Sequence, residues 1–312
     1  MKKYSFLLRF IILVSSIILC LSLIVGIFHR VSTLKLKAKL ETQKIIISIE
    51  DEIQKNTTHV SESNTTNAAE PVKESSNTFT PQNISNKKVL TIIITNLGLS
   101  KNMTDKALTM APEITLGFSP YTLNLNEVLK NSISMGHENL IHVPMETKDY
   151  PQDNPGSLGL LKDLSNLENF QRFETIIGNN SCIGIYTTHD EIFTQFTNRM
   201  PPFLQYLQNH KLLYVYGGPA ENQSLQQLAS QTKFPLLNVD LIIDEDIAEE
   251  AIKAQLALLE KIAEKQGYAL GFANPYPVTL DLLNEWLPTL EKKDIYLVPI
   301  TILEKKIMDS KR

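Results

Sequence analysis

The stretch Val89-Leu90-Thr91-Ile92-Ile93-Ile94-Thr95-Asn96-Leu97-Gly98-Leu99-Ser100 constrains the fold more than any other part of the chain. Six β-prone residues run without alternation, so the strand they form must be buried on both faces. A strand of that kind belongs to a parallel sheet covered by helices, and parallel neighbours need crossover connections. Thr95 and Asn96 close the run, Gly98 lets the backbone turn, and Ser100 can open a helix. The C-terminal edge of such a strand is where α/β folds carry their chemistry.

From Lys87 onward the pattern alternates strand and helix. Helix is expected over 101–110, 126–135, 164–177, 193–209, 224–231, 247–266 and 280–290. Strand is expected over 114–118, 139–142, 181–186, 212–216, 236–239, 268–273 and 295–299. The predicted fold class is α/β: a deformed (β/α) barrel of about seven or eight mostly parallel strands.

The chain ahead of this region reads differently. Residues 1–9 form a short basic tail with Lys2, Lys3 and Arg9. Phe10–Phe28 then runs nineteen residues without a charge. As a helix it would be about 28 Å long, close to a hydrocarbon core. Gly26-Ile27-Phe28-His29-Arg30 makes a poor cleavage site, so 10–28 reads as an uncleaved transmembrane signal anchor. Residues 29–53 read as a basic stem with a weak apolar stripe (Leu34, Ala38, Ile45, Ile49). Residues 54–86 are rich in Thr, Ser, Asn and Glu and read as a flexible linker. The folded domain is expected over 87–312. Arg30, Lys35, Lys37, Lys39 and Lys44 compete with the basic tail, so charge alone allows either orientation across the membrane.

Charge separates the two parts. Residues 1–55 hold nine Lys/Arg and four Asp/Glu, so the net charge of −4 leaves −9 for the remainder. An acidic folded part argues against nucleic acid, which needs a basic face. Cys20 in the apolar run and Cys182 in a predicted strand do not read as a pair.

Six segments resemble the divergent polysaccharide deacetylases, a bacterial envelope family. Ile92–Ser100 is similar to that family's first motif, and Ile114–Tyr121 to its second. Gly136-His137-Glu138 with Ile141-His142-Val143-Pro144-Met145-Glu146 resembles the third. Val239–Asp244, Phe272–Pro277 and Leu297–Thr301 resemble the later ones. The resemblance implies a deformed barrel and a carbohydrate-related role in the envelope. It also implies an inner-membrane protein whose folded domain lies in the periplasm, with the membrane, envelope glycan or envelope proteins as partners.

Deacetylases of this broad class hold a divalent ion with Asp and His, and a carboxylate acts as base. Where the family's first motif has two aspartates, this chain has Thr95 and Asn96, and where a late motif has histidine it has Asn274. Another family histidine falls on Thr188, with His189 one place later. These substitutions point to a degenerate enzyme with no cofactor, its altered mouth holding glycan or a partner. The alternative is a rearranged zinc site built from His142, Asp240 and His189, with Asp190 beside it, removing acetyl groups from an envelope glycan. His137 reads as structural, and Asp244 as a helix cap. Tyr121, Tyr186, Tyr216 and Tyr276 fall at predicted strand ends, where their rings can stack on sugars or fill the core.

Overall fold

A computed structural model describes residues 86–178, 180–188, 192–195, 198–218 and 222–310. The anchor, the stem and nearly all of the linker lie outside the described residues, as do His189 and Asp190. No helix among the described residues is long and apolar enough to cross a membrane.

The strands are β1 (Lys88–Leu97), β2 (Thr115–Phe118), β3 (Asn139–His142), β4 (Gly184–Thr187), β5 (Leu213–Tyr216), β6 (Leu236–Asn238), β7 (Leu241–Ile242), β8 (Tyr268–Ala273) and β9 (Ile295–Leu297). All pairings between them are parallel, in the order β6-β5-β4-β3-β2-β1-β8-β7, with β9 added to the start of β1. The helices are α1 (Lys101–Leu108), α2 (Leu125–Ser134), α3 (Asn166–Ile177), α4 (Pro201–Asn209), α5 (Gln223–Thr232), α6 (Glu249–Gln266), α7 (Pro277–Leu290) and α8 (Ile300–Ser310).

The two ends of the strand order, β6 and β7, are separated in sequence only by Val239 and Asp240. Val239 N–H donates to the Tyr216 carbonyl on β5, and Asp240 N–H donates to the Leu270 carbonyl on β8. One extended segment therefore follows β5 in its first half and β8 in its second. It carries the sheet round into a barrel-like closure.

β1 explains why the sequence shows no alternation. Leu90, Ile92 and Ile94 belong to the large core between sheet and helices. Val89 and Ile93 belong to a second cluster, with Leu140, Tyr186, Val215, Leu270 and Phe272. That second cluster fills the barrel, so β1 is apolar on both faces. Each fully buried Ile or Leu contributes about 1.5–3 kcal/mol by leaving water. Thr91 is tolerated inside because its hydroxyl donates to the Val298 carbonyl at 2.7 Å.

Three helices differ most from the sequence expectation. The helix expected over 193–209 begins only at Pro201, after a 3₁₀ turn at Phe193–Gln195, because the Pro-Pro pair suits a first turn and not a helix interior. α7 starts at Pro277, earlier than expected and for the same reason. α8 was not anticipated: it follows β9 directly, and its Ile300, Leu303 and Ile307 cover the lower end of the barrel cluster.

Candidate functional site at the mouth of the barrel

The C-terminal strand ends meet around β1 and β8. Thr95 continues the inward row of Val89, Thr91 and Ile93. Asn96 then turns into the left-handed region, at φ 56°. Asn and Gly tolerate that conformation best. The turn leaves the Asn96 backbone N–H without a ladder partner, and the Tyr186 hydroxyl accepts it at 2.9 Å. Tyr186 reaches this point from inside β4 because Gly117 on β2 gives way: a Cβ there would stand 2.8 Å from the ring.

The Asn96 side chain faces β8. Its Nδ2 donates to Oδ1 of Asn274 at 2.9 Å. The Thr95 hydroxyl donates to the Ala273 carbonyl at 3.2 Å and lies 3.5 Å from the same Asn274 oxygen. Asn274 is held from its other side by Asp244. The Asn274 backbone N–H donates to both carboxylate oxygens at 3.1 and 2.8 Å, and its Nδ2 to Oδ1 at 3.0 Å. Thr279 donates its hydroxyl to Oδ2 at 2.9 Å. Burial pushes the Asp244 carboxyl above the usual aspartate range, against the pull of the Thr279 and Asn274 hydrogen bonds.

Asp244 is therefore the anchor of Asn274 and not a helix cap. The N-cap of α6 is Ala248, which has no side-chain cap bond. Sequence reasoning missed this role and missed Thr279. The signal available was a carboxylate after a short strand, two strands' reach from an asparagine, which is indistinguishable from a cap until the two loops are seen together.

His142 ends β3 and stacks on the Tyr186 ring, with centroids 5.0 Å apart and planes 25° from parallel. It stands on the same mouth as Asn96. Asp240 does not: its Oδ2 accepts from Leu270 N–H at 2.8 Å and its Oδ1 from Gln266 Nε2 at 3.2 Å. It precedes Asp244 by four residues of nearly extended chain, roughly 13 Å toward the opposite end of the barrel. Burial raises its carboxyl too. His137 is buried, its ring nitrogens 2.9 Å and 3.2 Å from the carbonyls of Ile114 and Leu108.

The four tyrosines divide in two. Tyr186 and Tyr216 are fully buried, and the Tyr216 hydroxyl accepts from Asn222 at 3.0 Å, so neither ring offers a face to a sugar. Tyr121 and Tyr276 are exposed at the mouth. The Tyr121 hydroxyl donates to the Pro155 carbonyl at 2.7 Å and accepts from Leu158 N–H at 3.0 Å, which pins the long β3–α3 connection to the β2–α2 loop.

A divalent metal needs several charged or imidazole ligands converging on one point. Among the described residues the mouth offers neutral oxygens from Thr95, Asn96 and Asn274, the imidazole of His142, and the Asp244 carboxylate, whose two oxygens are already engaged. Among the described residues, no three of His, Cys, Asp and Glu gather to hold an ion. The described donor set does not fit a metal centre. Its chemistry is hydrogen bonding by amide and hydroxyl groups.

Comparison with known proteins agrees with this architecture. An uncharacterised Escherichia coli protein, YibQ, is 22% identical over 216 residues, which span 69% of this chain and 66% of that one. The chain thus covers just under two thirds of the curated relative it matches. The crystal structure of an uncharacterised protein from Agrobacterium tumefaciens superposes with a TM-score of 0.67 at 25% identity, over 70% of this chain and 89% of the other. A putative cellobiose-phosphate cleavage protein from Enterococcus faecalis shares the fold, with a TM-score of 0.50 at 13% identity over 70% of this chain and 99% of that one. Residues 92–303 match the family described as divergent polysaccharide deacetylase, from the middle of β1 into α8. With two thirds of its length inside that match, the chain belongs to the divergent polysaccharide deacetylase family.

Proposed function

We propose that this protein is a non-hydrolysing, membrane-anchored member of its family, whose barrel mouth holds an envelope glycan. One observation carries the reading: the Asn96–Asn274–Asp244 network. The positions that would supply charged ligands and a base are neutral, and the nearby carboxylate is spent on orienting an amide. Amide and hydroxyl groups each combine donor and acceptor capacity, which matches sugar hydroxyls and acetamido groups. The uncharged run Phe10–Phe28 and the polar linker behind it support an inner-membrane anchor with the domain in the periplasm.

The test is metal content of the full chain in detergent, after equilibration with zinc and desalting, beside His142→Ala. The reading expects well under one zinc per chain, unchanged by the substitution. It also expects N-acetylated glycan fragments to bind without losing acetate, and Asn274→Ala to weaken that binding. One zinc per chain, lost with His142→Ala and accompanied by acetate release, would overturn it in favour of a metal-dependent deacetylase.

A further inference from the structure

Five large apolar side chains stand exposed on the loops that follow four neighbouring strands. They are Tyr121 and Leu123 after β2, Leu99 after β1, Tyr276 after β8 and Ile247 after β7, with 42, 83, 66, 44 and 59% of their surface in contact with solvent. These strands lie side by side in the order β2-β1-β8-β7. The loops are also tied together. Gly98 lies against Thr122 so closely that a Cβ would stand 1.9 Å from its hydroxyl. Asn96 bonds Asn274, and Asn274 bonds Asp244. Tyr121 precedes Thr122 by one place and the other four follow a tied position by one to three, so the five form an arc along one half of the mouth. Hydrophobic residues ahead of a helix usually fold back onto its first turn. The exposure of these five shows that they do not.

We infer that this arc docks an amphipathic helix of a partner protein, one with Lys and Arg flanking its apolar face. Four adjacent strands set the arc at about 14 Å between its outer strands. A helix covers that length in about nine residues, placing apolar side chains at i, i+3 or i+4, and i+7. A groove of about 440 Å³ opens from the same loops between α1 and α2, with Leu108, Leu123 and Val128 in its lining, and offers a slot for one anchoring side chain. At the Ile247 end of the arc the unpaired charge is of one sign, while Lys101 beside Leu99 is paired with Asp105 at 2.5 Å. Glu245, Asp246, Glu249 and Glu250 surround Ile247 and are all exposed. Lys253 reaches Glu249 and Glu250, at 3.3 and 3.4 Å, which leaves Glu245 and Asp246 facing solvent. A basic helix complements that flank. A second copy of this chain would set the acidic flank against its own image. A glycan could stack on Tyr121 and Tyr276, but the three most exposed members of the arc, Leu99, Leu123 and Ile247, are aliphatic and offer it neither a ring face nor a donor. The amide network ties the loops that carry the arc, but the five side chains are exposed whatever the mouth holds, so this inference does not depend on the proposed function.

The experiment places a photo-crosslinking benzoylphenylalanine at Leu99, at Leu123 and, as control, at Leu258 on the outer face of α6, in the full chain in its native membranes. Expected is a crosslink at both mouth positions, absent at Leu258, to one protein. The crosslinked peptide should carry apolar residues at helical spacing with Lys or Arg beside them. Yield should fall at least tenfold in E245K/D246K, whose urea midpoint serves as the folding control. If that midpoint shifts, Ile247→Ser takes its place, with the same fall expected. Crosslinks to a second copy, to glycan or lipid, to a segment without that pattern, or none above the control would each overturn the inference.

Discussion

Asn96 Nδ2 sits 2.9 Å from Oδ1 of Asn274, and this bond ties the end of β1 to the end of β8. The geometry works because Asn96 adopts positive φ, which swings its side chain across to the neighbouring strand, while Asp244 fixes Asn274 from behind. An amide has a donor end and an acceptor end, so Asn274 can donate through Nδ2 to the carboxylate and accept through Oδ1 from Asn96 at once. The network is thus polar, half-buried and satisfied. Among the described residues no buried side-chain nitrogen or oxygen lacks a partner.

Asn274→Ala should therefore cost more than a surface change. The backbone N–H and Thr279 still reach Asp244, but the amide bond to the carboxylate and the acceptor for Asn96 disappear. Loss of about 1–3 kcal/mol is expected, measured as a lower urea midpoint with unchanged slope. Asn274→Asp should be worse than Asn274→Ala, since it sets a second carboxylate against Asp244 in a buried place. A milder effect for aspartate than for alanine would sink this account of the network.

Tyr186→Phe removes the acceptor of the Asn96 backbone N–H, together with the hydroxyl's longer 3.5 Å bond to the Gly117 carbonyl. The ring keeps its place against Gly117, Phe272 and His142, while the Asn96 backbone N–H loses its acceptor. A cost of about 1–3 kcal/mol follows from leaving that donor unpaired, a melting temperature lower by several degrees for a domain of this size. Because Asn96 is then free to leave its left-handed turn, the Tyr186 and Asn274 effects should be less than additive in the double variant Y186F/N274A.

Much of this fold was legible in the chain. β3 and β8 run over the residues expected, because a short apolar segment bounded by polar or turn residues has little freedom in its ends. The split segment was not legible. Residues 236–239 and 241–242 read as one strand and its exit, and nothing local says that the first half pairs with β5 and the second with β8. Asp240 shows the same difficulty at the site. Its place at the barrel mouth was implied by a motif, but four residues of extended chain separate the two ends of a barrel, and the motif does not say which end a side chain serves. Tyr186 and Tyr216 were ambiguous for another reason: a tyrosine at a strand end satisfies both the core and the rim, and only the space beside Gly117 and the amide of Asn222 decide it. Asn96 and Asn274 were readable as departures from a charged pattern. Their bond to each other was not.

Tyr121→Phe should loosen one loop without touching the barrel. The hydroxyl holds the Pro155 carbonyl and the Leu158 N–H, and the ring itself is exposed. Loss of an exposed hydrogen bond costs about 1 kcal/mol at most globally. Locally the same amount accelerates amide exchange at Leu158 about fivefold. Hydrogen exchange followed residue by residue should find that change confined to the 155–158 turn. Protection at Leu158 equal to wild type would show that the tyrosine does not hold the loop.

Asp244 gives a dependence on pH. Burial raises its carboxyl in the folded state above the ordinary aspartate value, about 3.9 in the unfolded chain. The folded state therefore binds this proton more tightly than the unfolded one. The stabilisation that goes with protonation is fully present below the unfolded value and is lost as pH rises through the raised folded value. Asp244→Asn removes that titration but also takes away one acceptor facing Asn274 and Thr279, so it destabilises at every pH. The difference in unfolding free energy between wild type and Asp244→Asn should be smallest near pH 7 and should grow as pH falls toward 4, because only the wild type gains from the proton. Urea unfolding of both proteins across that range measures it. A difference that shrinks on acidification would mean that the hydrogen bonds from Asn274 and Thr279 outweigh burial, and that the carboxylate is held ionised to orient the amide.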